Sequence, residues 1–357
     1  MTTDAIASVR GFFLLSAASV LFANALPPAR DRFVTYGVRR SPSEPKDSDK
    51  DKNREPRSSL LSSFLDYLAT LTVPHSYFTH FYVVSVASSL LWLHQLLTRG
   101  PLFRLVADHV PVDDMASSMT LDQVVLGWTL LFAHGARRLY ESVVFKKKGG
   151  TRSRMWIGHW LVGIAFYLVL GIAVWIEGTP TLLAHPAPTA SSFLSNVARL
   201  RLPRFTPRSV VLLPLFALAS GVQHDTHHYL ASLPPTGASQ PGRRDKSPAA
   251  TLPEHPNFGF ALCPHYTAEI VVYVALAGLL APSSSGIGAA GGAADRGGGW
   301  RLGSLGGAGL VNVSLMAALA FVAVNLGVTA EGTRRWYVER LGEEKMRGRK
   351  RLVPGVW

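Results

Sequence analysis

Phe258-Gly-Phe-Ala-Leu-Cys-Pro-His-Tyr-Thr-Ala-Glu-Ile-Val-Val-Tyr273 joins a loop, which ends at Pro264, to the start of a mostly apolar helix. The polar residues of that helix all lie near its start: His265, Tyr266, Thr267 and Glu269. His265 and Glu269 are four residues apart and therefore share one helix face. Burial of an imidazole and a carboxylate in an apolar helix is unfavourable unless a partner binds them. The stretch therefore predicts either an interfacial helix start or a ligand site within the membrane.

The composition indicates an integral membrane protein. Of the 357 residues, 48% are hydrophobic and 17% are charged, whereas about 25% of an average globular protein is charged. The net charge of +13 comes from basic residues between and after the apolar segments, which suits contact with membrane lipids. These residues do not stripe one face of a soluble helix, so nucleic-acid binding is not indicated. The single cysteine, Cys263, excludes a disulfide framework and a cysteine-based zinc site.

Seven apolar segments predict the fold class, an all-α membrane protein built as a bundle of about seven transmembrane helices. They cover residues 6–26, 77–97, 119–145, 156–176, 209–233, 266–281 and 310–330. The connecting segments are rich in Pro, Ser, Gly and charged residues, which favour loops over packed structure. We expect a first transmembrane helix at 1–26, a polar and partly disordered cytosolic loop at 27–73, the two halves of the bundle at 74–176 and 177–357, and flexible loops at 234–257 and 283–309.

Polar residues recur at one end of several segments. In the segment 119–145 they form an internal stripe: His134, Arg137, Arg138 and Glu141. An arginine this deep in an apolar helix faces a partner or a cavity, although snorkelling from the helix end is an alternative. Most Lys and Arg residues lie in the odd-numbered loops and the tail, so these loops and the C-terminus are predicted to be cytosolic. The polar clusters then share one membrane depth, which favours a cytosol-facing site for an anionic, phosphate-bearing ligand.

The segment His224-Asp-Thr-His-His228 has the H-x-x-H-H spacing of the histidine boxes in membrane di-iron enzymes. Imidazoles at i, i+3 and i+4 can converge on one metal ion. A di-iron centre needs several such boxes, and the remaining histidines form no second one. No metal site is therefore predicted, although a di-iron hydroxylase or desaturase stays an alternative. The sequence also lacks a G-x-G-x-x-G after a strand and a G-x-S-x-G elbow.

Several motifs resemble one family of membrane enzymes. Cys263-Pro-His-Tyr-Thr-Ala-Glu269, Arg335-Trp-Tyr337 and Arg349-Lys-Arg-Leu-Val-Pro354 resemble the C-terminal domain of the steroid 5α-reductase family. Pro74-His-Ser-Tyr-Phe-Thr-His-Phe-Tyr82 and His134-Gly-Ala-Arg-Arg-Leu-Tyr-Glu141 resemble its polyprenol (polyprenal) reductase branch. Together these motifs run from about residue 74 to the C-terminus. The sequence is therefore identified as similar to that branch.

The resemblance implies a seven-helix fold that binds NADPH in a cytosol-facing cavity. It implies reduction of the α-isoprene double bond of polyprenal or polyprenol, giving dolichal or dolichol for protein N-glycosylation. The protein would then be a multi-pass protein of the endoplasmic reticulum membrane, with a long-chain polyprenoid lipid as substrate. The first half of the bundle would bind this lipid and the second half the cofactor.

The resemblance also implies site residues. His265 and Glu269 would hold the nicotinamide amide, and the full set of implied cofactor residues is Arg138, Gln223, His227, His265, Glu269, Arg335, Tyr337 and Arg349. Three positions depart from the family pattern: Phe260 replaces a tyrosine, Glu331–Arg335 replaces a histidine-rich turn, and Gly355 replaces an aromatic residue.

The expected reaction needs an acid near the substrate carbonyl. Addition of a hydride to the β-carbon of an enal places negative charge on the carbonyl oxygen, so a donor must lie there. His80 and Tyr82 are the candidate donors, and interfacial aromatic residues are the alternative interpretation of both. Steroid reduction is the nearest alternative activity. A non-enzymatic lipid-binding membrane protein is the other alternative.

Overall fold

The computed structural model describes residues 4–34, 60–111, 117–145, 154–185, 206–233, 252–259, 261–282 and 309–352. Within them the protein is a bundle of α-helices with one small β-ribbon. The helices are α1 (Ala5–Ala25), α2 (Leu60–Thr70), α3 (Phe78–Thr98), α4 (Pro101–Ala107), α5 (Leu121–Val144), α6 (Ile157–Ala173), α7 (Thr179–Ala184), α8 (Pro207–Ser232), α9 (Pro264–Leu279), α10 (Val313–Leu341) and α11 (Glu343–Met346). Helical turns lie at Pro27–Ala29, Arg30–Val34, His75–Tyr77, Ile176–Gly178 and Pro256–Gly259.

A long helix lies at each of the seven predicted apolar segments, so the all-α membrane class is confirmed. Most boundaries agree with the prediction to within about three residues. The exception is α10, which continues to Leu341, eleven residues beyond the predicted end at 330. Four helical segments of the described residues are long and apolar enough to cross a membrane: Ala5–Ala25, His75–Thr98, Ile157–Ala184 and Val313–Leu341. Seven membrane crossings therefore remain a prediction.

Two features were not predicted from the sequence. The strands β1 (Thr72–Pro74) and β2 (Arg154–Trp156) pair antiparallel, with Thr72 opposite Trp156. Helix α2 lies in the segment 27–73, which was expected to be polar and partly disordered. Most of the predicted flexible loops, at 234–251 and 283–308, lies outside the described residues, as does Phe260.

Capping residues in the sequence account for several helix starts. Thr120 and Gln123 form a reciprocal capping box at the start of α5, and Thr206 and Ser209 form one at the start of α8. The side chain of Asn312 accepts a hydrogen bond from the backbone N–H of Leu315 at the start of α10. These caps satisfy backbone donors that a helix leaves open.

Helix α3 packs between α5 and α6 through small side chains. Its buried face carries Ser85, Ser88 and Ser89, and the neighbouring helices present glycines to it. A Cβ atom at Gly135 of α5 would lie 2.6 Å from Ser85 Oγ, and one at Gly171 of α6 would lie 2.3 Å from Ser88 Oγ. Small residues at such crossings let helix backbones approach closely, as is typical of membrane bundles. The other extensive helix pairs are α8 with α9, α1 with α10, and α9 with α10.

A buried carboxylate ties three segments together at the opposite end from the polar helix ends described below. Glu177 Oε1 accepts hydrogen bonds from the backbone N–H and the hydroxyl of Ser314, at 2.7 and 2.6 Å. Arg10 of α1 lies 3.0 Å from the same oxygen. This ion pair explains how an arginine is accommodated in the first apolar segment, because buried charges need partners. It joins α1, the turn Ile176–Gly178 and α10.

Candidate functional site

A cavity of about 570 Å³ lies between α1, α3, α6, α9 and α10, within the size range of small-molecule sites. Most of its wall is apolar or aromatic. Residues of this wall are Phe12, Leu15, Val20, Phe78, Phe81, Val162, Phe166, Phe321, Val322 and Leu326. One end is polar and is lined by Tyr82, Arg138, Tyr167, Gln223, His227, His265, Glu269 and Tyr273. The cavity therefore combines a largely apolar wall with one polar end.

Six of the ten residues predicted from the sequence lie together at this polar end: Tyr82, Arg138, Gln223, His227, His265 and Glu269. They come from four helices, because α3 supplies Tyr82, α5 supplies Arg138, α8 supplies Gln223 and His227, and α9 supplies the remaining two. This convergence favours a shared site over separate polar helix ends, since polar groups that face lipid headgroups would not have to meet.

His80 does not join this cluster. It is exposed, and its ring packs against Tyr77, at 4.5 Å between centroids, and near Trp160. Tyr82 follows two residues later, which turns it to another face of α3. Its hydroxyl accepts a hydrogen bond from Arg138, whose guanidinium lies 4.7 Å from the Tyr82 ring centroid.

Arg335, Tyr337 and Arg349 also lie apart from the polar end. Arg335 is 48% exposed at its side chain and pairs with Glu331 at 3.0 Å. Tyr337 contacts the ring of Trp336 and is not among the lining residues of the cavity. Arg349 lines a second cavity, of about 630 Å³. The other residues around that second cavity are Leu252, Pro253, Glu254, His255, Pro256, Phe258, Gly259, Leu341 and Lys345.

Glu141 is the centre of the polar network, although it was not among the predicted site residues. It is only 3% exposed. Its two carboxylate oxygens accept hydrogen bonds from Arg137, at 2.5 Å, and from Arg138. His224 Nδ1 and His227 Nδ1 each lie 2.8 Å from one of these oxygens. A carboxylate with this many partners fixes the side chains around it, since charge-assisted hydrogen bonds are short and strong.

The Nδ1 atom of His227 has two neighbours in this network. This atom lies 2.8 Å from a Glu141 oxygen and 2.6 Å from Arg138 Nη1, and one nitrogen cannot both donate and accept a proton. Donation to Glu141 and acceptance from Arg138 are therefore alternatives for Nδ1, and either one ties His227 to the ion pair of Arg138 and Glu141.

Gln223 connects Glu141 to the second buried carboxylate. Its amide oxygen accepts a hydrogen bond from Arg137 at 2.5 Å, and its amide nitrogen donates to Glu269 Oε2. The other oxygen of Glu269 lies 3.4 Å from His134 Nε2. The polar end is therefore one connected network of arginine, glutamine, histidine and glutamate side chains. Such a network holds its members in defined orientations.

The charges within this network balance. Arg137 and Arg138 both pair with Glu141, and Glu269 adds a second negative charge. The polar end therefore offers little excess positive charge to a phosphate group. Lys345 and Arg349, which line the second cavity, are better suited to an anion than Arg138.

Sequence reasoning noticed His134, Arg137 and Glu141 as a polar stripe but did not select them as site residues. It missed Tyr167 and Tyr273 altogether. Both tyrosines sit in apolar helices, where an aromatic residue looks like part of the core. Tyr273 could have been predicted as a site residue, because it lies four residues after Glu269 and therefore on the same helix face.

No family model matches the chain. Comparison with curated proteins finds relatives over much of its length. The polyprenal reductase of Saccharomyces cerevisiae is 27% identical over 227 residues, which cover 62% of this chain and 64% of that protein. Polyprenal reductase 1 of Oryza sativa subsp. indica is 24% identical and covers 87% of this chain and 86% of its own length. Polyprenal reductase 2 of Arabidopsis thaliana is 25% identical over 80% of this chain and 83% of that protein.

The chain is similar in sequence to polyprenal reductases of yeast and plants. This confirms the resemblance to the polyprenol reductase branch of the steroid 5α-reductase family that the motifs predicted. The matched region spans slightly less than two thirds of the yeast polyprenal reductase but most of the plant proteins.

Proposed function

We propose that this protein is a membrane-bound, NADPH-dependent reductase of the α-isoprene double bond of polyprenal, with dolichal as the product. The observation that carries the proposal is the cavity with an apolar wall and a polar end in one continuous space. A long isoprenoid with one terminal carbonyl has the same distribution of polarity. The polyprenal reductase relatives support this choice of lipid over a steroid. We propose the same reaction for polyprenol only as the less reactive case, because an alcohol provides no acceptor for the negative charge.

The apolar wall would bind the isoprenoid chain. The residues facing the cavity from α1, α6 and α10 include Phe12, Phe166 and Phe321. Removal of isoprene units from water stabilises binding by about 25 cal/mol for each Å² buried. The tail requires no polar contacts, so its length need not be set by the cavity.

The polar end would bind the reacting groups. Glu269 and the backbone and ring of His265 have the acceptors and donors that a nicotinamide carboxamide needs. When bound, the reduced nicotinamide supplies a hydride for the β-carbon of the enal. Arg138 orients the hydroxyl of Tyr82 through a hydrogen bond, which leaves the Tyr82 proton free to be donated to the aldehyde oxygen. Burial of these groups lowers the local dielectric constant and strengthens their interactions.

The remainder of the dinucleotide is too large for the polar end alone. The second cavity lies near the same end of the bundle, where α8 ends and α9 begins, since Phe258 in its wall contacts the ring of Tyr229 of α8. Lys345 and Arg349 would bind the phosphates there. We therefore propose that Arg349 keeps its predicted cofactor role, whereas Arg335 and Tyr337 act outside the two cavities. The endoplasmic reticulum location, the cytosolic C-terminus and the supply of dolichol for N-glycosylation belong to the same proposal.

The test is a reductase assay on the protein purified in detergent. NADPH or NADH is supplied with polyprenal, polyprenol or a 3-keto-4-ene steroid, and the loss of dinucleotide absorbance is followed together with the lipid product. We expect NADPH to be oxidised fastest with polyprenal. Faster oxidation with the steroid would assign a steroid reductase instead. Oxidation with none of the three would reject the proposal.

A further inference from the structure

Tyr273 of α9 carries a hydroxyl group that the protein itself does not use. The residue is 1% exposed and lines the polar end of the cavity. Its hydroxyl has no hydrogen-bond partner among the residues that the structure describes. A buried hydroxyl without a partner is destabilising, and such groups are rare in native proteins. The unused donor therefore indicates a ligand atom that accepts its hydrogen bond.

The Tyr273 hydroxyl differs from the neighbouring polar groups, which already have hydrogen-bond partners in the protein. The Tyr82 hydroxyl accepts a hydrogen bond from Arg138, and Glu269 accepts one from Gln223. Tyr273 lies four residues after Glu269 on α9 and lines the same cavity as Glu269, Tyr82 and Arg138, so it belongs to the same polar end. Its ring packs against Phe166, with 6.2 Å between centroids, at the start of the apolar wall. The Tyr273 side chain thus lies between the polar residues of the cavity and the part suited to an isoprenoid.

We propose that the Tyr273 hydroxyl is a catalytic hydrogen-bond donor to the aldehyde oxygen of the substrate. This inference rests on the proposed function. The hydride forms a C–H bond at the β-carbon, the π electrons of the double bond shift to form the enolate, and the dinucleotide is oxidised. Tyr273 stabilises the developing enolate oxygen through its O–H, and the α-carbon takes one proton from solvent. One enal, one NADPH and one proton give one saturated aldehyde and one NADP⁺.

Two donors then serve the same oxygen. Tyr82 is held by Arg138, whereas the Tyr273 ring packs against Phe166 and its hydroxyl has no partner among the described residues. Donors aimed at the position where charge develops accelerate a reaction because they need no reorganisation. Tyr273 stabilises the negative charge that develops on the substrate oxygen in the transition state. Loss of its hydroxyl should therefore lower kcat and leave the affinity for the cofactor unchanged.

The test compares wild-type protein with Tyr273→Phe, which removes only the hydroxyl oxygen. We expect kcat with polyprenal to fall about 100- to 1,000-fold, in line with the loss of one such donor elsewhere, and the KM for NADPH to stay unchanged. The midpoint of thermal unfolding should be equal or higher, because an unpartnered buried hydroxyl has been removed. Tyr140→Phe is the matched control, since Tyr140 is an exposed tyrosine of α5 outside the cavity lining.

Each contrary result has a defined meaning. An unchanged kcat for Tyr273→Phe would overturn the inference, and so would a raised KM for NADPH with kcat preserved, which would make Tyr273 a cofactor contact. A lower unfolding midpoint would overturn it as well, because the hydroxyl would then bond to the protein. Failure of the wild-type protein to reduce polyprenal would instead reject the proposed function.

Discussion

Glu141 determines whether two partly buried arginines can be tolerated next to the cavity. It forms ion pairs with both Arg137 and Arg138, and its oxygens also lie within hydrogen-bonding distance of His224 and His227. Removing one partner of a buried ion pair leaves the other charge uncompensated, which destabilises a protein by about 3–5 kcal/mol. Glu141→Gln should therefore lower the midpoint of thermal unfolding in detergent. Glu339→Gln, at an exposed glutamate of α10, is the control and should leave the midpoint unchanged. Equal midpoints for the two variants would contradict the central role of Glu141.

Glu269 is the carboxylate that we assign to the nicotinamide amide. It lines the cavity, and one of its oxygens already accepts a hydrogen bond from Gln223. Glu269→Gln keeps the shape of the side chain and can still accept that bond, so the fold should persist. Loss of a charged acceptor of this kind weakens binding by about 1.5–3 kcal/mol, or roughly 10- to 150-fold in KM for NADPH. Steady-state kinetics over a range of NADPH concentrations measures this change. An unchanged KM would remove Glu269 from the cofactor site.

The sequence predicted the polar end better than it predicted the partners within it. The motif around His265 and Glu269 and the arginine at 138 carried enough chemistry to be recognised. Candidate donors at 80 and 82 could not both face the cavity, because residues two apart on a helix point in different directions. The part played by Glu141 depends on His224 and His227 from another helix. Sequence spacing cannot reveal such contacts, since they arise from the packing of α5 against α8.

At the level of helices, the crossing of α3 and α6 depends on Gly171. A Cβ atom there would lie 2.3 Å from Ser88 Oγ and 3.1 Å from the Trp92 ring. Gly171→Val should therefore push the two helices apart and destabilise the protein by about 1–3 kcal/mol. Gly11→Val in α1 is the matched control, because no atom lies within 4 Å of a Cβ built at Gly11. Thermal unfolding of both variants in detergent is the measurement. If Gly171→Val and Gly11→Val unfold at the same temperature, close packing of α3 against α6 at Gly171 is contradicted.

Hydropathy identified every long helix but not its role. Helices α5, α8 and α9 supply Arg138, Gln223, His227 and Glu269 to the cavity. They are also the long helices that do not qualify as candidate spans among the described residues. The polar groups that form the site interrupt the apolar pattern of α5 and α8, and α9 is only 16 residues long. The helices that supply the candidate site are therefore the ones whose membrane crossing is hardest to establish from composition.

At the level of the whole molecule, the two ends of the bundle differ in what they bury. Arg10, Glu177 and Ser314 form a closed ionic contact at one end, and their charges are satisfied within the protein. The polar network around Glu141 and Glu269 lies at the other end and borders a cavity. Both ends contain buried charge, but among the described residues it is the second network that supplies residues to the cavity with the largely apolar wall. This difference favours the end predicted to be cytosolic as the place of the candidate site.

The number of membrane crossings decides where the C-terminus lies relative to the turn after α4. If α5, α6, α8, α9 and α10 all cross the membrane, Asp108 and Glu344 lie on opposite sides, because five crossings separate them. If only α6 and α10 cross, as the candidate spans between these positions indicate, the two residues lie on the same side. Both residues are exposed, so each can be replaced by cysteine in a Cys263→Ala background, which removes a buried native thiol.

Labelling with a membrane-impermeant thiol reagent in sealed microsomes, whose cytosolic face is outward, separates the two arrangements. We expect Glu344→Cys to react at once and Asp108→Cys to react only after the membrane is permeabilised with detergent. The Cys263→Ala protein without either cysteine provides the background. Reaction of both cysteines in sealed microsomes would reject seven crossings. The same result would mean that the polar groups of α5, α8 and α9 lie outside the hydrocarbon region of the membrane. Their pairing could then not be explained by burial in the membrane.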